Sequence, residues 1–221
     1  MDILKRIYYH LLLNESYFSS IGLYFGKTGC LLFLAHYAKL LNDSVLDEIV
    51  LEVIDEIFEK AVSVNTMDIP TGLCGIGWGV EYILQNKLME GDSDEILVEL
   101  DDIIINKNTR LISSESDFSD ILKYIVIRLT SISGNGTEIP FPNDYLMGLV
   151  HDSRKIDTED IKHHARTIQK IIENGRYKER PIILTNEMLG TVSMEGFPFV
   201  ALGLKNGLCG LGIRIMSESV I

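Results

Sequence analysis

Residues 22 to 29, Gly-Leu-Tyr-Phe-Gly-Lys-Thr-Gly, are the stretch closest to a familiar catalytic signature. A phosphate-binding loop cradles phosphates with backbone N–H groups, reaches them with its lysine and holds magnesium with the following Ser or Thr. Gly26-Lys27-Thr28 matches the end of that pattern. Its beginning does not match: the signature needs four residues between its first glycine and Gly-Lys, and Gly22 to Gly26 leaves three. The loop must also follow a buried strand, and Ser16-Tyr-Phe-Ser-Ser-Ile21 lacks the pattern of one.

A repeat gives the glycines another meaning. Gly72-Leu-Cys-Gly75 and Gly207-Leu-Cys-Gly210 superpose, and Gly26-Lys-Thr-Gly29 fits the same frame. The glycines recur and the lysine does not, so Lys27 reads as a surface residue rather than a nucleotide ligand. From Gly26 to Gly72 is 46 residues and from Gly72 to Gly207 is 135, three times 45. A period near forty-five suits a helical hairpin, and two glycine-free copies are expected near 117 and 162. Glycine in the first turn of a helix allows close approach and permits positive φ in the preceding turn. The free N–H groups of such a helix end could also receive an anion.

Other candidates cluster around the same frame. Cys74 and Cys209 hold equivalent repeat positions and are read either as small apolar packing or as metal ligands. Trp78 and Tyr82 lie one helical turn apart and are read either as core or as one wall of a cavity. Asp68 precedes the second motif and either faces the mouth of that cavity or is a solvated loop carboxylate. Lys205 and Asn206 precede the third; the lysine reads as an anion ligand or a surface residue. The adjacent His163 and His164 point about 100° apart on a helix and cannot chelate together well.

The elements that must position these residues are helical. Residues 44 to 62 carry an apolar stripe four residues apart with an acidic opposite face, and Ser44 is placed to cap it. Similar helices are expected after Asp92, over Ile121 to Leu129, and from Asp157 to a stop at Gly175. Residues 180–185 and 197–202 are short and proline-flanked and read as loop or minor helix, and 133–144 as a long connection.

The chain has 221 residues and a net charge of -12, which disfavours nucleic-acid and membrane-surface partners and would welcome a basic peptide. The N-terminus lacks a signal-peptide pattern, and no apolar run reaches membrane-spanning length. Three widely spaced cysteines argue against a disulfide framework and for a reducing cytoplasm.

Together "GLYFGKTGCLLFLAHYAKL", "PTGLCGIGWGVEYILQN" and "GLKNGLCGLGIRIM" resemble the inner-helix motifs of lanthionine synthetase C-like (LanC-like) proteins. The likeness covers the N-terminal 90 residues and the C-terminal 20; between them only the helical periodicity matches. The resemblance implies an all-α fold, an α/α toroid in which inner helices form a barrel inside outer ones. At about forty-five residues each, five hairpins fit, so a short or incomplete toroid in one domain spanning 1–221 is implied.

Family cyclases bind zinc through a Cys and a Cys-His pair, and the metal activates a peptide thiol for thioether formation. Here the positions matching that pair are Tyr24-Phe25, Pro70-Thr71 and Lys205-Asn206, which cannot supply it. The resemblance therefore implies a zinc-free accessory or peptide-binding protein, its partner a peptide or a peptide-modifying enzyme. The alternative is a divergent zinc cyclase using Cys74, Cys209 and a third ligand. The apolar final segment, residues 207–221, needs a cover, either an earlier segment or a second copy in a homodimer.

Overall fold

The computed structural model describes residues 3–14, 18, 20–111, 114–134, 138–179, 181–192, 195, 197 and 200–218, without the side chains of 108–111. The helices are α1 (Ile3–Leu13), α2 (Lys27–Leu41), α3 (Ser44–Ala61), α4 (Leu73–Gln85), α5 (Ser93–Ile96), α6 (Val98–Leu111), α7 (Glu115–Leu129), α8 (Asn143–Ser153), α9 (Glu159–Asn174), α10 (Asn186–Leu189) and α11 (Leu208–Glu218). No strand occurs among the described residues.

Three of these helices begin with the same folded loop. In each copy the first helical N–H donates to the carbonyl seven residues earlier: Lys27 to Ser20, Leu73 to Thr66, Leu208 to Ala201. The loop thus curls over its own helix end. A Cβ at Gly26, Gly72 or Gly207 would strike the carbonyls six and four residues back. A Cβ at Gly29, Gly75 or Gly210 would lie 2.4, 1.8 or 2.0 Å from the carbonyl six residues back. Close approach is therefore the reason for these glycines. Positive φ is not: Gly26 and Gly72 cap their helices at φ -122° and -101°.

The loops also join one another. Lys205 N–H donates to Tyr24 O, and Tyr24 N–H donates to Pro70 O. These three positions are equivalent, so the third copy leans on the first and the first on the second. Gly203 and Gly22 meet the next loop's backbone at Tyr24 and Thr71. The equivalent residue of the second copy is Asp68, which leads to no further glycine loop and can carry a side chain.

Helix packing follows the same order. α11 lies against α2, α2 against α4, α4 against α7, and α7 against α9, with α8 on α9. α1 packs on α2 and α11, α3 on α2 and α6, and α6 on α4. The last helix thus sits beside the first motif helix. Glycines again admit the contacts: a Cβ on Gly77 would enter the Tyr124 ring, and one on Gly212 the Phe33 ring. Phe33 follows Gly26 by seven residues, and Tyr124 follows position 117 by seven. α7 therefore stands where the glycine-free copy is expected. At the register of Gly29 and Gly75 it carries Asp120, whose carboxylate accepts the Ile69 N–H at 2.9 Å.

Sequence expectations hold for α3, α7 and α9, and Gly175 ends α9 at φ 86°. The α3 cap shifts by one residue: Asp43, not Ser44, accepts the Val45 N–H. The helix expected after Asp92 is broken at Leu97 into α5 and α6. Residues 181–185 are irregular and residues 198 and 199 lie outside the described residues, as do 135–137 of the connection before α8. The buried face of α11, including Leu208, Ile213 and Met216, is covered by α1 and α2.

Between α4, α6 and α7 lies a buried ionic cluster. Arg128 is fully buried and donates to Glu81 Oε1 at 2.7 Å and to Asp101 Oδ2 at 2.8 and 3.0 Å. Tyr124 donates to the other Asp101 oxygen at 2.6 Å, and Ser131 and Gln85 donate to Glu81 Oε2 at 2.7 and 2.8 Å. Both carboxylates are thereby hydrogen-bonded as well as paired, the condition under which buried charge is tolerated.

Candidate functional site

The residues singled out from sequence divide between the two ends of α2, α4 and α11. At the motif end the helix N–H groups are already used. Lys27, Thr28, Leu73, Leu208 and Cys209 all donate to carbonyls of their own loops (Thr28 N and Cys209 N reach Ile21 and Leu202). These five N–H groups are therefore not available to an anion. Lys27 is also not a surface residue. It is buried and its ammonium pairs with Glu56 on α3. Thr28 turns its hydroxyl to Ile21 O at 2.5 Å, so neither residue of the P-loop-like pair faces a ligand.

Asp68 is half-buried, and its carboxylate accepts from the Thr71 N–H at 2.6 Å and the Thr71 hydroxyl at 3.0 Å, tightening its own loop. Lys205 places Nζ 4.9 Å above the Tyr24 ring. Asn206 adopts φ 55° and accepts the Thr191 N–H at 2.9 Å. These three residues take part in the loop network.

Cys74 and Cys209 are fully buried at equivalent positions on α4 and α11, with α2 between those helices. Burial, with the charges of Asp120 and Asp68, pushes the Cys74 thiol well up. Burial and a hydrogen bond with Cys30 push Cys209 well up. Zinc binds thiolate, so both environments oppose it. Among the described residues, no three His, Cys, Asp or Glu side chains gather to hold a metal. The donor set does not fit zinc. Sequence spacing missed the Cys30–Cys209 neighbourhood because Cys30 lies off the repeat register.

Trp78 and Tyr82 lie further along α4. Their rings stack at 5.5 Å and 10°, and the Tyr82 hydroxyl lies 2.9 Å from His36 Nε2 on α2. Burial lowers His36 to about 4 and raises Tyr82 to about 12, so both are neutral at pH 7. His36 opens onto a cleft of about 560 Å³ at the C-terminal ends of α2 and α11. Lys39, Leu40, Leu88, Met216 and Ser217 complete its lining. It offers an apolar floor, one imidazole edge and one cation at the rim. It is broad and open to solvent, and none of these lining side chains is acidic. None of the sequence candidates is among these lining residues; Tyr82, stacked on Trp78, reaches the cleft through its contact with His36. Among the described residues no helix is long and apolar enough to cross a membrane.

Compared with family models, curated proteins and solved structures, the chain gives no match.

Proposed function

We propose that this chain is a LanC-like helical protein that binds a peptide without zinc chemistry, as an accessory to peptide modification. The observation that carries the reading is the glycine-motif frame itself. Its three loops fold alike and pass hydrogen bonds from copy to copy, while the thiols inside it are buried, protonated and set apart on α4 and α11. The row α11–α2–α4–α7, with α1, α3 and α6 packed behind, reads as an arc of an α/α toroid. Peptide binding is assigned to the cleft of His36, Leu40, Leu88 and Met216, whose size and apolar floor suit a few side chains. The cleft itself holds one cation and no acid, so preference for a basic peptide rests on the net charge of -12 over the whole chain, which also disfavours a phosphate-bearing ligand.

Trp78 is the only tryptophan and stacks on the tyrosine that bonds His36, so its fluorescence reports on the cleft. Titration with a panel of synthetic basic peptides containing cysteine and serine should give a saturable change in emission. Ser217→Phe, which fills the exposed rim, should abolish it. Absence of saturable binding across the panel, by emission and by calorimetry, would refute the reading.

A further inference from the structure

The chain lays an irregular segment of its own across the C-terminal ends of α7 and α4. Glu179 N–H donates to Thr130 O, just past α7, at 3.1 Å. Ile182 then sits at the end of α4: its N–H donates to Gln85 Oε1 at 3.2 Å, and its carbonyl accepts from Asn86 Nδ2 at 2.9 Å. Gln85 follows Gly72 by thirteen residues and Thr130 follows position 117 by thirteen, so one repeat register holds the backbone on both helices. Burial alternates along the segment, with Ile182 and Leu184 packed on the core and Ile183 70% exposed. The segment then leaves this end of the row: Leu189 O accepts the Asn206 N–H at 3.0 Å, beside Gly210 in the first turn of α11. α2 and α11 come next in the row after α4, and the cleft of His36, Lys39, Leu40, Leu88, Met216 and Ser217 opens at that same end of them.

The same register decides what the cleft can hold. On α2 the places of Gln85 and Asn86 are taken by Lys39 and Leu40. A carboxamide oxygen accepts an N–H, whereas an ammonium only donates and leucine does neither. The ligand atoms over Lys39 must therefore be acceptors, and a carboxylate matches its charge as well. Lys39 is exposed, and no acidic side chain shares the lining with it. Ser217 gives its hydroxyl proton to Arg214 O at 2.8 Å, so its oxygen can still accept an N–H. We propose, resting on peptide binding at this cleft, that it takes the carboxyl terminus of an extended peptide. The terminal carboxylate lies on Lys39, a backbone N–H on Ser217, and the last apolar side chains on Leu40, Leu88 and Met216. A peptide that is basic along its length and free at its carboxyl end suits both the acidic molecule and the cationic cleft.

The test uses the full chain and one synthetic hexapeptide, with lysines at its amino end and leucines at its last and third-last places, made as the free acid and as the carboxamide. Calorimetry and Trp78 emission read the affinities at low ionic strength. The free acid should bind about fivefold tighter than the amide, and the gap should narrow as salt is added. Lys39→Met should erase the gap by weakening the acid alone, with Tm unchanged. Lys170→Met, which removes an exposed lysine of α9, should keep it. Acid and amide binding equally well, or a gap that survives Lys39→Met, would overturn the carboxyl-terminus assignment while leaving peptide binding in place. An amide with glutamate as its last residue that binds like the free acid would overturn it too, since a side-chain carboxylate would then serve Lys39 as well. Binding of neither form would refute peptide binding and the assignment together.

Discussion

Gly75 and Gly148 are the same residue under opposite constraints. A Cβ on Gly75 would lie 1.8 Å from the Ile69 carbonyl oxygen, which itself belongs to the loop that closes over α4. Backbone cannot step aside as a side chain can, so Gly75→Ala should destabilise the fold by about 3 kcal/mol or more. Gly210→Ala, 2.0 Å from Leu204 O, should behave alike. Gly148 lies exposed within α8 with nothing within 4 Å of a new Cβ, so Gly148→Ala should stabilise by about 0.5–1 kcal/mol. Chemical denaturation of the three variants checks this, and equal effects would discredit the loop-closure account. The glycines were legible from their recurrence. Their reason was not, because a carbonyl six residues back in a folded loop leaves no mark on spacing. Lys27 was misread for a related cause: its partner Glu56 is 29 residues away on another helix.

Two pH effects belong to the helices that these side chains join. Glu56 on α3 is held below its usual value of 4.5 by hydrogen bonds from Lys27 and Lys60. Its contribution is present above pH 4.5 and is lost as the pH falls through the folded value. Lys27→Ala should remove that contribution and cost about 1–2 kcal/mol at neutral pH, since the buried stem is lost with the pair. His36 joins α2 to α4 and titrates at about 4 in the fold against 6.5 unfolded. The unfolded chain takes up the proton first, so stability is full above pH 6.5, falls as the pH drops to about 4, and levels below. The loss should be on the order of 3 kcal/mol. His36→Gln keeps a polar partner for Tyr82 and should flatten that window; an unchanged slope would show that His36 is not its source. The ionic cluster is less forgiving: Arg128→Leu leaves Glu81 and Asp101 buried without their cation and should cost about 3–5 kcal/mol in a thermal melt. At this scale the stripes of α3, α7 and α9 could be read directly, because each buries one face. α8 was missed because Gly148 and the prolines before it dilute its pattern, and the break is a local turn of the backbone at Leu97, φ -95° and ψ 0°, which an unbroken apolar stripe does not reveal.

For the molecule as a whole, the chain's end returns to its beginning. Equivalent loops lie in the spatial order third, first, second, so the 135-residue gap between the second and third copies is bridged through α7, α9 and α8. The repeat arithmetic anticipated helices at the two intervening places. It could not show that the two motif thiols would be held on helices separated by α2, nor that the ligand-sized cleft would open at the far end of those helices. Both depend on side-chain direction around a helix, which one sequence leaves open for all-apolar faces such as α4. The central claim is that the motif frame persists here without a zinc site. Metal analysis of the protein purified from zinc-supplemented medium tests it most directly, with the Cys74→Ala, Cys209→Ala double variant alongside. The account predicts zinc far below one equivalent in both proteins; close to one equivalent in the parent, lost in the double variant, would contradict it.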